Sequence, residues 1–249
     1  MVTMIVTYFV IGDITIPEGD TLTIKPGVNI YFDGMYSIIS EGIIIADGEE
    51  NAPILFTSNQ PVPQPNDWGV IELHSPNNVF RFVQYKYAAN GIEGHDISGS
   101  IFENCTLTDL PVWPNEEGRW QCHAFEFEEC NNCIFNDNVI DTPLYHAIVV
   151  ESSSNNITIT NNVINVYGMA IHINNPSNSI ISFNEITVDV NVYGIEADNC
   201  DECVIEGNNI QVPNGSGIKS QYSDSLTIIN NTLNTSQYGF YLKHGSGHL

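Results

Sequence analysis

The sequence predicts an all-β solenoid of roughly 8–10 stacked coils. Two observations predict it: a short unit recurs along the chain, and two independent columns of residues keep the same phase within that unit. The clearest copies are AIVVESSSNNITITNNVINVYGM, which begins at Ala147, and AIHINNPSNSIISFNEITVDVNVY, which begins at Ala170. A fixed period built from strand-like segments and turns is typical of a solenoid.

The first column is an opening pair, in which a small or β-branched residue precedes Ile or Phe. Its members are Val70-Ile71, Gly91-Ile92, Ala124-Phe125, Ala147-Ile148, Ala170-Ile171, Gly194-Ile195, Gly217-Ile218 and Gly239-Phe240. Successive pairs are 21 to 24 residues apart, except for one step of 33 residues. These steps predict that each pair begins an equivalent strand in successive coils.

The second column consists of asparagines that recur every 22 to 24 residues. Its members are Asn138, Asn162, Asn184, Asn208 and Asn231. Stacked coils lie about 4.8 Å apart, so each asparagine lies over its counterpart in the next coil. A side-chain amide can donate to one neighbour and accept from the other, and we therefore expect a buried asparagine column that satisfies its own hydrogen bonds.

On these motifs the chain resembles the right-handed parallel β-helix proteins of the pectate-lyase-like superfold. The resemblance rests on the GI…N…N-x-I pattern of the coils and covers about residues 36–249. The N-terminal DITIPEGDTLTIKPGVNIYF is also similar to the opening segment of many bacterial secreted and surface β-helix proteins. The resemblance implies a secreted or cell-surface location, but it specifies activity poorly, because this superfold hosts lyases, hydrolases, epimerases and non-catalytic stalks.

In chain order, residues 1–35 are predicted to form capping strands and the first coil, and residues 36–249 a single β-helix domain. Residues 1–12 are apolar but have no basic region and no cleavage site, so we expect a first strand that covers the end of the stack, not a signal peptide. No stretch is long enough to insert into a membrane. The ending LKHGSGHL stops inside a coil, and we expect a mature or excised fragment of a longer protein, or a cloning scar.

The 33-residue step holds a loop insertion at about residues 106–122, TLTDLPVWPNEEGRWQC. It contains Trp113, Arg119 and Trp120, and Trp68 is predicted at the corresponding corner of another coil. Exposed aromatic faces can stack on sugar rings, whereas buried ones would cover the core beneath the loops. Both interpretations of these tryptophans stay open at this point.

The net charge of the chain limits the classes of molecule that it can bind. The net charge is −24, with only six lysines and arginines. This balance argues against nucleic acid, which is bound through cationic contacts to phosphate. It argues equally against a bare polyuronate, although a bound Ca²⁺ would reverse that conclusion. A polysaccharide is the expected partner, and the sequence carries no signal for an oligomeric state.

Alternation along the strand that begins at each opening pair places two columns on one outer face. The first column reads Glu72, Glu93, Glu126, Val149, His172, Glu196, Lys219 and Tyr241. The second reads His74, His95, Glu128, Glu151, Asn174, Asp198, Gln221 and Lys243. This face therefore carries seven carboxylates and three histidines.

The candidate catalytic residues are the carboxylates of adjacent coils, Glu93 with Glu126 and Glu128 with Glu151. Neighbouring strands would hold them about 5 Å apart, near the separation used by retaining glycosidases. Crowded carboxylates also raise one another's pKa, which supplies a proton donor beside an ionised partner. A solvated acidic face is the simpler interpretation, but stacked like charges cost stability and so indicate a site or a bound cation.

Two histidines, His123 and His146, occupy equivalent positions just before their opening pairs. Together with His74 and His95 they could bind a transition metal, because imidazole is a common ligand of such ions. Stacked surface histidines without a metal are the simpler interpretation. We therefore assign no metal ligands from the sequence.

The cysteines do not form one metal site. Cys130-x-x-Cys133 and Cys200-x-x-Cys203 lie in equivalent positions three coils apart, about 14 Å by strand spacing. A single four-cysteine site is therefore not expected. Cys133 and Cys203 align with an inward position, which predicts buried free thiols.

The predicted function is hydrolysis of a neutral glycan such as a β-glucan, with the acid and its base or nucleophile among the four candidate carboxylates and no required cofactor. The predicted substrate-binding residues are His95, His172, Glu196, Asp198, Trp113 and Trp120. A Ca²⁺-dependent polyuronate lyase is a second possibility, weakened because that chemistry usually needs a basic residue near the cleavage point. The third possibility is a non-catalytic surface or glycan-binding module, and the fourth is a NosD-like role in handling a metal.

Overall fold

The computed structural model describes residues 6–111, 122–152 and 154–245. Throughout these residues the regular structure is β-strand, in three parallel sheets. None of the described residues belongs to a helix that is long and apolar enough to cross a membrane. The all-β prediction is confirmed.

Each coil contributes one strand to each sheet, except that the last coil has no described strand in sheet C. Sheet A contains β1 Val6–Val10, β4 Val28–Phe32, β7 Ile54–Ser58, β10 Val83–Lys86, β13 Thr106–Thr108, β16 Val139–Asp141, β19 Val163–Val166, β22 Glu185–Val188, β25 Asn209–Val212 and β28 Thr232–Thr235. Sheet B contains β2 Ile14–Ile16, β5 Ile38–Ser40, β8 Ile71–Leu73, β11 Ile92–His95, β14 His123–Glu128, β17 His146–Glu151, β20 Met169–Asn174, β23 Tyr193–Asp198, β26 Ser216–Gln221 and β29 Phe240–Lys243. Sheet C contains β3 Thr21–Ile24, β6 Ile43–Asp47, β9 Val79–Arg81, β12 Ile101–Glu103, β15 Ile134–Asn136, β18 Thr158–Thr160, β21 Ile180–Ser182, β24 Val204–Glu206 and β27 Thr227–Ile229.

Every strand pairs in parallel with the strand three places further along the chain, which is the connectivity of a parallel β-helix. Sheets A and B have ten strands each, so the predicted number of coils is confirmed. The expected first strand is β1, which pairs with β4 at the end of sheet A. Thr106–Thr108, the start of the predicted insertion, form β13, and residues 112–121 lie outside the described residues.

The core is a stack of inward side chains that meet their counterparts one coil away. Phe102 packs between Phe80 and Phe135, with ring centroids 5.4 and 5.2 Å apart. Trp68 is fully buried and stacks on Phe32 at 4.0 Å. The interpretation of Trp68 as an exposed sugar platform is therefore wrong, because the residue after the Pro-rich loop points into the core.

The asparagine side chains bridge consecutive coils. Asn162 Nδ2 donates to Asn184 Oδ1 at 2.9 Å and to the Phe135 carbonyl at 2.9 Å. Asn184 Nδ2 in turn donates to Asn208 Oδ1 at 2.9 Å and to the Ile159 carbonyl at 3.0 Å. Both the amide and the carbonyl of each side chain are used, which is why a polar residue is stable at a fully buried position.

The CxxC pairs form disulfides within their own turns. Cys130 is bonded to Cys133, and Cys200 to Cys203. Cys133 and Cys203 are buried as expected, and so are Cys130 and Cys200, but the prediction of free thiols is wrong, since a CxxC turn brings its two sulfur atoms together. Cys105 is a free thiol at the head of the asparagine column, and burial raises its pKa to about 12.

Candidate functional site

The outer face of sheet B brings the candidate carboxylates onto adjacent strands. Glu93 on β11 lies beside Glu72 on β8 and Glu126 on β14. Glu128 on β14 lies beside His95 on one side and Glu151 on the other. Neighbouring strands are about 4.8 Å apart, so the columns put like charges at short range.

Part of this face forms an open pocket of about 470 Å³. We call it the upstream pocket, and it is lined by Glu72, His74, Asn90, Glu93, Gly94, His95, Glu126 and Glu128. Gly94 shapes its floor, because a Cβ atom there would collide with the Leu73 carbonyl oxygen. The absence of a side chain lets the backbone of β11 approach that of β8 closely at this position.

Glu93 is held in a fixed orientation. Asn90 Nδ2 donates to Glu93 Oε2 at 2.6 Å, and Asn90 Oδ1 accepts the backbone N–H of His123 at 2.8 Å. Burial raises the pKa of the Glu93 carboxyl, and the charges of Glu126 and Glu72 raise it further. The Asn90 hydrogen bond and nearby His123 oppose this shift without cancelling it. The environment of Glu93 thus favours the protonated form of its carboxyl.

Two imidazoles flank the other carboxylates of the pocket. His74 Nε2 lies 2.8 Å from Glu72 Oε1 in a hydrogen bond. His123 Nδ1 lies 2.8 Å from Glu126 Oε2, although the two groups are not aligned as a hydrogen bond. Glu126 keeps 39% of its side chain exposed and so remains open to a ligand.

A column of histidines continues from the pocket. His123 stacks on His146 at 5.1 Å between ring centroids, and His146 lies 5.5 Å from His172. The rings of His123 and His146 are buried, so the interpretation of this pair as surface histidines is wrong. Burial lowers the pKa of His146 to about 2, helped by the two neighbouring histidines. His146 is therefore neutral, with a buried Nδ1 that lacks a hydrogen-bond partner.

Further along sheet B the carboxylates are neutralised. Lys219 Nζ donates to Glu196 Oε1 at 2.6 Å and to Asp198 Oδ2 at 2.9 Å. We call these three residues the downstream triad. Between the two regions, His172 Nε2 lies 3.8 Å from Glu151 Oε1. The predicted site residues thus separate into the upstream pocket, a central pair and the downstream triad.

Comparison with known proteins identifies the family. Residues 77–249 match the family described as periplasmic copper-binding protein (NosD), and residues 2–80 match the pectate-lyase like beta helix domain. The chain belongs to the NosD family. No curated protein matches it.

Solved structures similar to this NosD-family chain share its fold. A double mutant of the periplasmic alginate epimerase AlgG has 14% sequence identity and a TM-score of 0.60, covering 95% of this chain and 66% of that chain. This chain therefore spans slightly less than two thirds of that structure. Another AlgG structure has 13% identity and a TM-score of 0.57, covering 98% of this chain and 78% of that chain. At this identity the likeness establishes the fold alone.

The family description implies copper, and the histidine column has the donor chemistry for it. Imidazole nitrogens are common copper ligands, and buried ring nitrogens of His74, His123, His146 and His172 lack hydrogen-bond partners. Across the described ranges, however, no three His, Cys, Asp or Glu side chains are grouped as metal ligands. The imidazole nitrogens are thus the right type of donor for copper, but the stacked rings do not form a group of three ligands.

Sequence reasoning missed Asn90, and it did not assign His123 to the carboxylate site. The signal was present, because both occupy the position just before the opening pair, and the register places Asn90 beside His123. A column three residues before the Glu72–Glu126 column was therefore readable from the same alignment. Trp113 and Trp120 lie outside the described residues, so their predicted role in sugar stacking stays a prediction.

Proposed function

We propose that this NosD-family chain acts on a polysaccharide, and that the upstream pocket hydrolyses a neutral glycan such as a β-glucan. The observation that carries the proposal is the pairing of Glu93 with Glu126. Burial and neighbouring charges raise the pKa of Glu93, and Glu126 lies on the adjacent strand with an exposed carboxylate. A protonated acid beside an ionised partner is the arrangement that glycoside hydrolysis requires.

The chemistry follows from these two roles. Glu93 would donate its proton to the glycosidic oxygen as the bond from that oxygen to the anomeric carbon breaks. Glu126 would attack the same carbon and form a glycosyl ester, since adjacent strands match the roughly 5 Å carboxyl separation of retaining enzymes. Glu93 would then take a proton from a water molecule that attacks the ester. The released Glu126 carboxylate and the reprotonated Glu93 restore the starting state.

The remaining predicted residues would bind the sugar. Glu128 and His95 lie exposed on adjacent strands at the edge of the pocket and can bind hydroxyl groups. Glu151 and His172 would continue this surface by one or two coils, followed by Glu196 and Asp198. A neutral glycan suits the pocket, because an uncompensated row of carboxylates repels a polyuronate.

The fold is consistent with this proposal, since the AlgG structures belong to an epimerase of alginate, a polysaccharide. The names of AlgG and of the NosD family both specify the periplasm. We accordingly propose that the chain works in the periplasm or at the cell surface.

The test is the release of reducing sugar from a panel of neutral glycans, with and without EDTA. We expect Glu93→Gln and Glu126→Gln each to lower kcat by about 10²–10⁴-fold, because each removes a proton-transfer or nucleophilic group and keeps the size of the side chain. Glu128→Gln and Glu151→Gln, which change neighbouring carboxylates, should lower it less. Glu185→Gln, an exposed carboxylate on sheet A, is the matched control and should keep the wild-type rate.

The same assay separates the competing functions. Cleavage of a polyuronate that EDTA abolishes would favour the lyase. Binding without turnover in any variant would favour a glycan-binding module. Full activity in both Glu93→Gln and Glu126→Gln would show that the upstream pocket is not the catalytic site.

A second candidate function is the binding of copper by the histidine column. The specific observation in its favour is that His123 and His146 are stacked and buried, with His123 Nε2 and His146 Nδ1 lacking a hydrogen-bond partner. A buried polar atom without a partner costs about 1–3 kcal/mol, which a bound ion would recover. His123 and His146 would supply the imidazole donors, since no group of three possible metal ligands occurs in the described part of the chain.

Copper binding can be measured without any catalytic assay. Titration of the chain with Cu²⁺, followed by calorimetry and by the copper absorption spectrum, should show one saturable site that His146→Gln removes. His244→Gln, which changes an exposed histidine outside the column, is the control and should bind as the wild type does. Equal copper binding by both variants would contradict the assignment to this column.

A further inference from the structure

We propose that the outer face of sheet A carries a second glycan-binding site, which takes a glycan whose carboxylates are spaced among neutral sugars. The site is an open groove of about 470 Å³ on a different sheet from the upstream pocket. We call it the sheet A groove. Four side chains supplied by its strands, Tyr31, Thr57, Gln84 and Lys86, form its floor, and residues 59–63 form one wall.

The strand register fixes the order of the side chains on the floor of the sheet A groove. Tyr31 on β4 is paired with Thr57 on β7, and Tyr85 on β10 is paired with Phe56. Lys86 therefore follows Thr57 in the same outward column. Two strand spacings separate Tyr31 from Lys86, which is about 10 Å along the solenoid axis. A chain-like ligand could span both side chains in one orientation.

The wall is fixed before any ligand arrives. The Asp67 carboxylate accepts a hydrogen bond from Ser58 Oγ at 2.6 Å and another from the Gln64 N–H at 2.8 Å. At the other end of the loop, Asn59 Nδ2 donates to Asp33 Oδ1 at 3.0 Å. Trp68, buried just after the loop, donates from Nε1 to the Lys86 carbonyl at 2.7 Å. A wall held this way loses little entropy on binding.

Lys86 supplies an uncommitted positive charge. Arg81 is paired with Asp47 and Glu103, and Lys219 with two carboxylates of its own. No carboxylate among the described residues lies within ion-pair distance of Lys86, in a chain whose net charge is −24. A half-buried lysine without a counterion in such a protein is complementary to a carboxylate supplied from outside.

Aromatic side chains extend the same column away from Lys86. Tyr31 stacks with Phe9 at 5.8 Å between ring centroids, and Phe9 is 60% exposed on the outer face. Exposed rings on a strand face offer apolar surfaces that can cover a sugar ring. The amide groups of Gln84, Asn59 and Gln60 line the groove and can bind hydroxyl groups.

These features select one class of ligand. The aromatic and amide groups suit sugars, and the single cation suits one carboxylate. A continuous polyanion is disfavoured, because the long-range field of the chain is strongly negative. The occupant is therefore a glycan in which acidic sugars alternate with neutral ones.

The test uses two matched probes: an oligosaccharide of alternating glucose and glucuronic acid, and its carboxyl-reduced form, in which each carboxylate becomes a hydroxymethyl group. Binding is measured by calorimetry in the Glu93→Gln background, so that turnover cannot deplete the probe. We expect Lys86→Gln to weaken the acidic probe about tenfold, as for the loss of one charge-assisted hydrogen bond. Tyr31→Ala should weaken both probes.

The control variant is Lys243→Gln, which removes an exposed lysine from sheet B and should leave both affinities unchanged. The reduced probe should bind the Glu93→Gln parent and its Lys86→Gln derivative equally. Failure of the acidic probe to bind this parent, or equal binding of it by the parent and by the Lys86→Gln derivative, would overturn the proposal. Because binding alone is measured, this result is independent of whether the upstream pocket is catalytic.

Discussion

The upstream pocket and the downstream triad are built on the same sheet by the same repeat, yet they treat charge in opposite ways. In the downstream triad, Lys219 neutralises two carboxylates, and Glu196 and Asp198 are only 13% and 17% exposed. In the upstream pocket, Glu93 and Glu126 lie on adjacent strands, and the described residues that line the pocket include no lysine or arginine. Glu126 remains 39% exposed.

The difference teaches which part of the face has its charges balanced by the chain itself. A carboxylate pair that is closed by a lysine contributes to the stability of the folded chain, because each charge has a partner. A carboxylate pair without one costs stability through repulsion, and such a cost is typical of sites retained for a ligand. The same residue type at the same position of the repeat therefore has two different roles.

The largest expected effect concerns the scaffold that both regions share. Asn184→Leu should lower the free energy of unfolding by about 3 kcal/mol, because it leaves the Asn162 amide and the Ile159 carbonyl without partners in the core. Chemical denaturation followed by circular dichroism measures the change. Asn165→Leu, on the exposed face of sheet A, should change stability by less than about 0.5 kcal/mol. Equal effects would show that the column is not structural.

The next effect isolates the downstream triad. Lys219→Met keeps much of the apolar stem but removes the charge shared by Glu196 and Asp198. We expect a loss of about 2 kcal/mol, in the range of a charge-assisted hydrogen bond between weakly exposed groups. The exposed Lys243→Met is the control for loss of a lysine. An unchanged unfolding midpoint for Lys219→Met would remove the distinction between the two regions.

The smallest effect has the opposite sign and belongs to the upstream pocket. Glu93→Gln should raise stability at pH 7 by up to about 1 kcal/mol, because it removes repulsion with Glu72 and Glu126. The pKa of Glu93 is raised in the folded state, so its contribution is favourable below the ordinary value of 4.5 and is lost as the pH rises through the folded value. The stability of the variant should consequently fall less than that of the wild type on going from pH 4 to pH 7. Glu185→Gln should keep the wild-type pH dependence.

Much of the fold was predictable because the solenoid repeats its own signal. The opening pairs and the asparagine column are fixed by backbone spacing, and both can be read along the chain without knowing its tertiary contacts. The adjacency of Glu93 and Glu126 follows from the same alignment. In a solenoid, the place of a residue within the repeat therefore indicates where that residue lies in the structure.

The features that could not be predicted depend on side-chain orientation and on the backbone path of single turns. The Asn90 contact to Glu93 and the burial of His146 require rotamers that the repeat does not encode. The burial of Trp68 could not be predicted for the same reason, because a side chain at the corner of a coil can point into the core or into solvent. The two disulfides depend on the path of single turns, so residue spacing alone did not reveal them.

The disulfides have a consequence for how such a chain can change during evolution. Each one closes a loop of a few residues inside a single turn, and neither links one coil to another. Duplication or loss of a whole coil between the two CxxC turns would therefore leave both disulfides intact and preserve the phase of both columns. The quantity that would change is the distance between the upstream pocket and the downstream triad. The repeat can lengthen or shorten the face in steps of about 4.8 Å while leaving the chemistry at each end untouched.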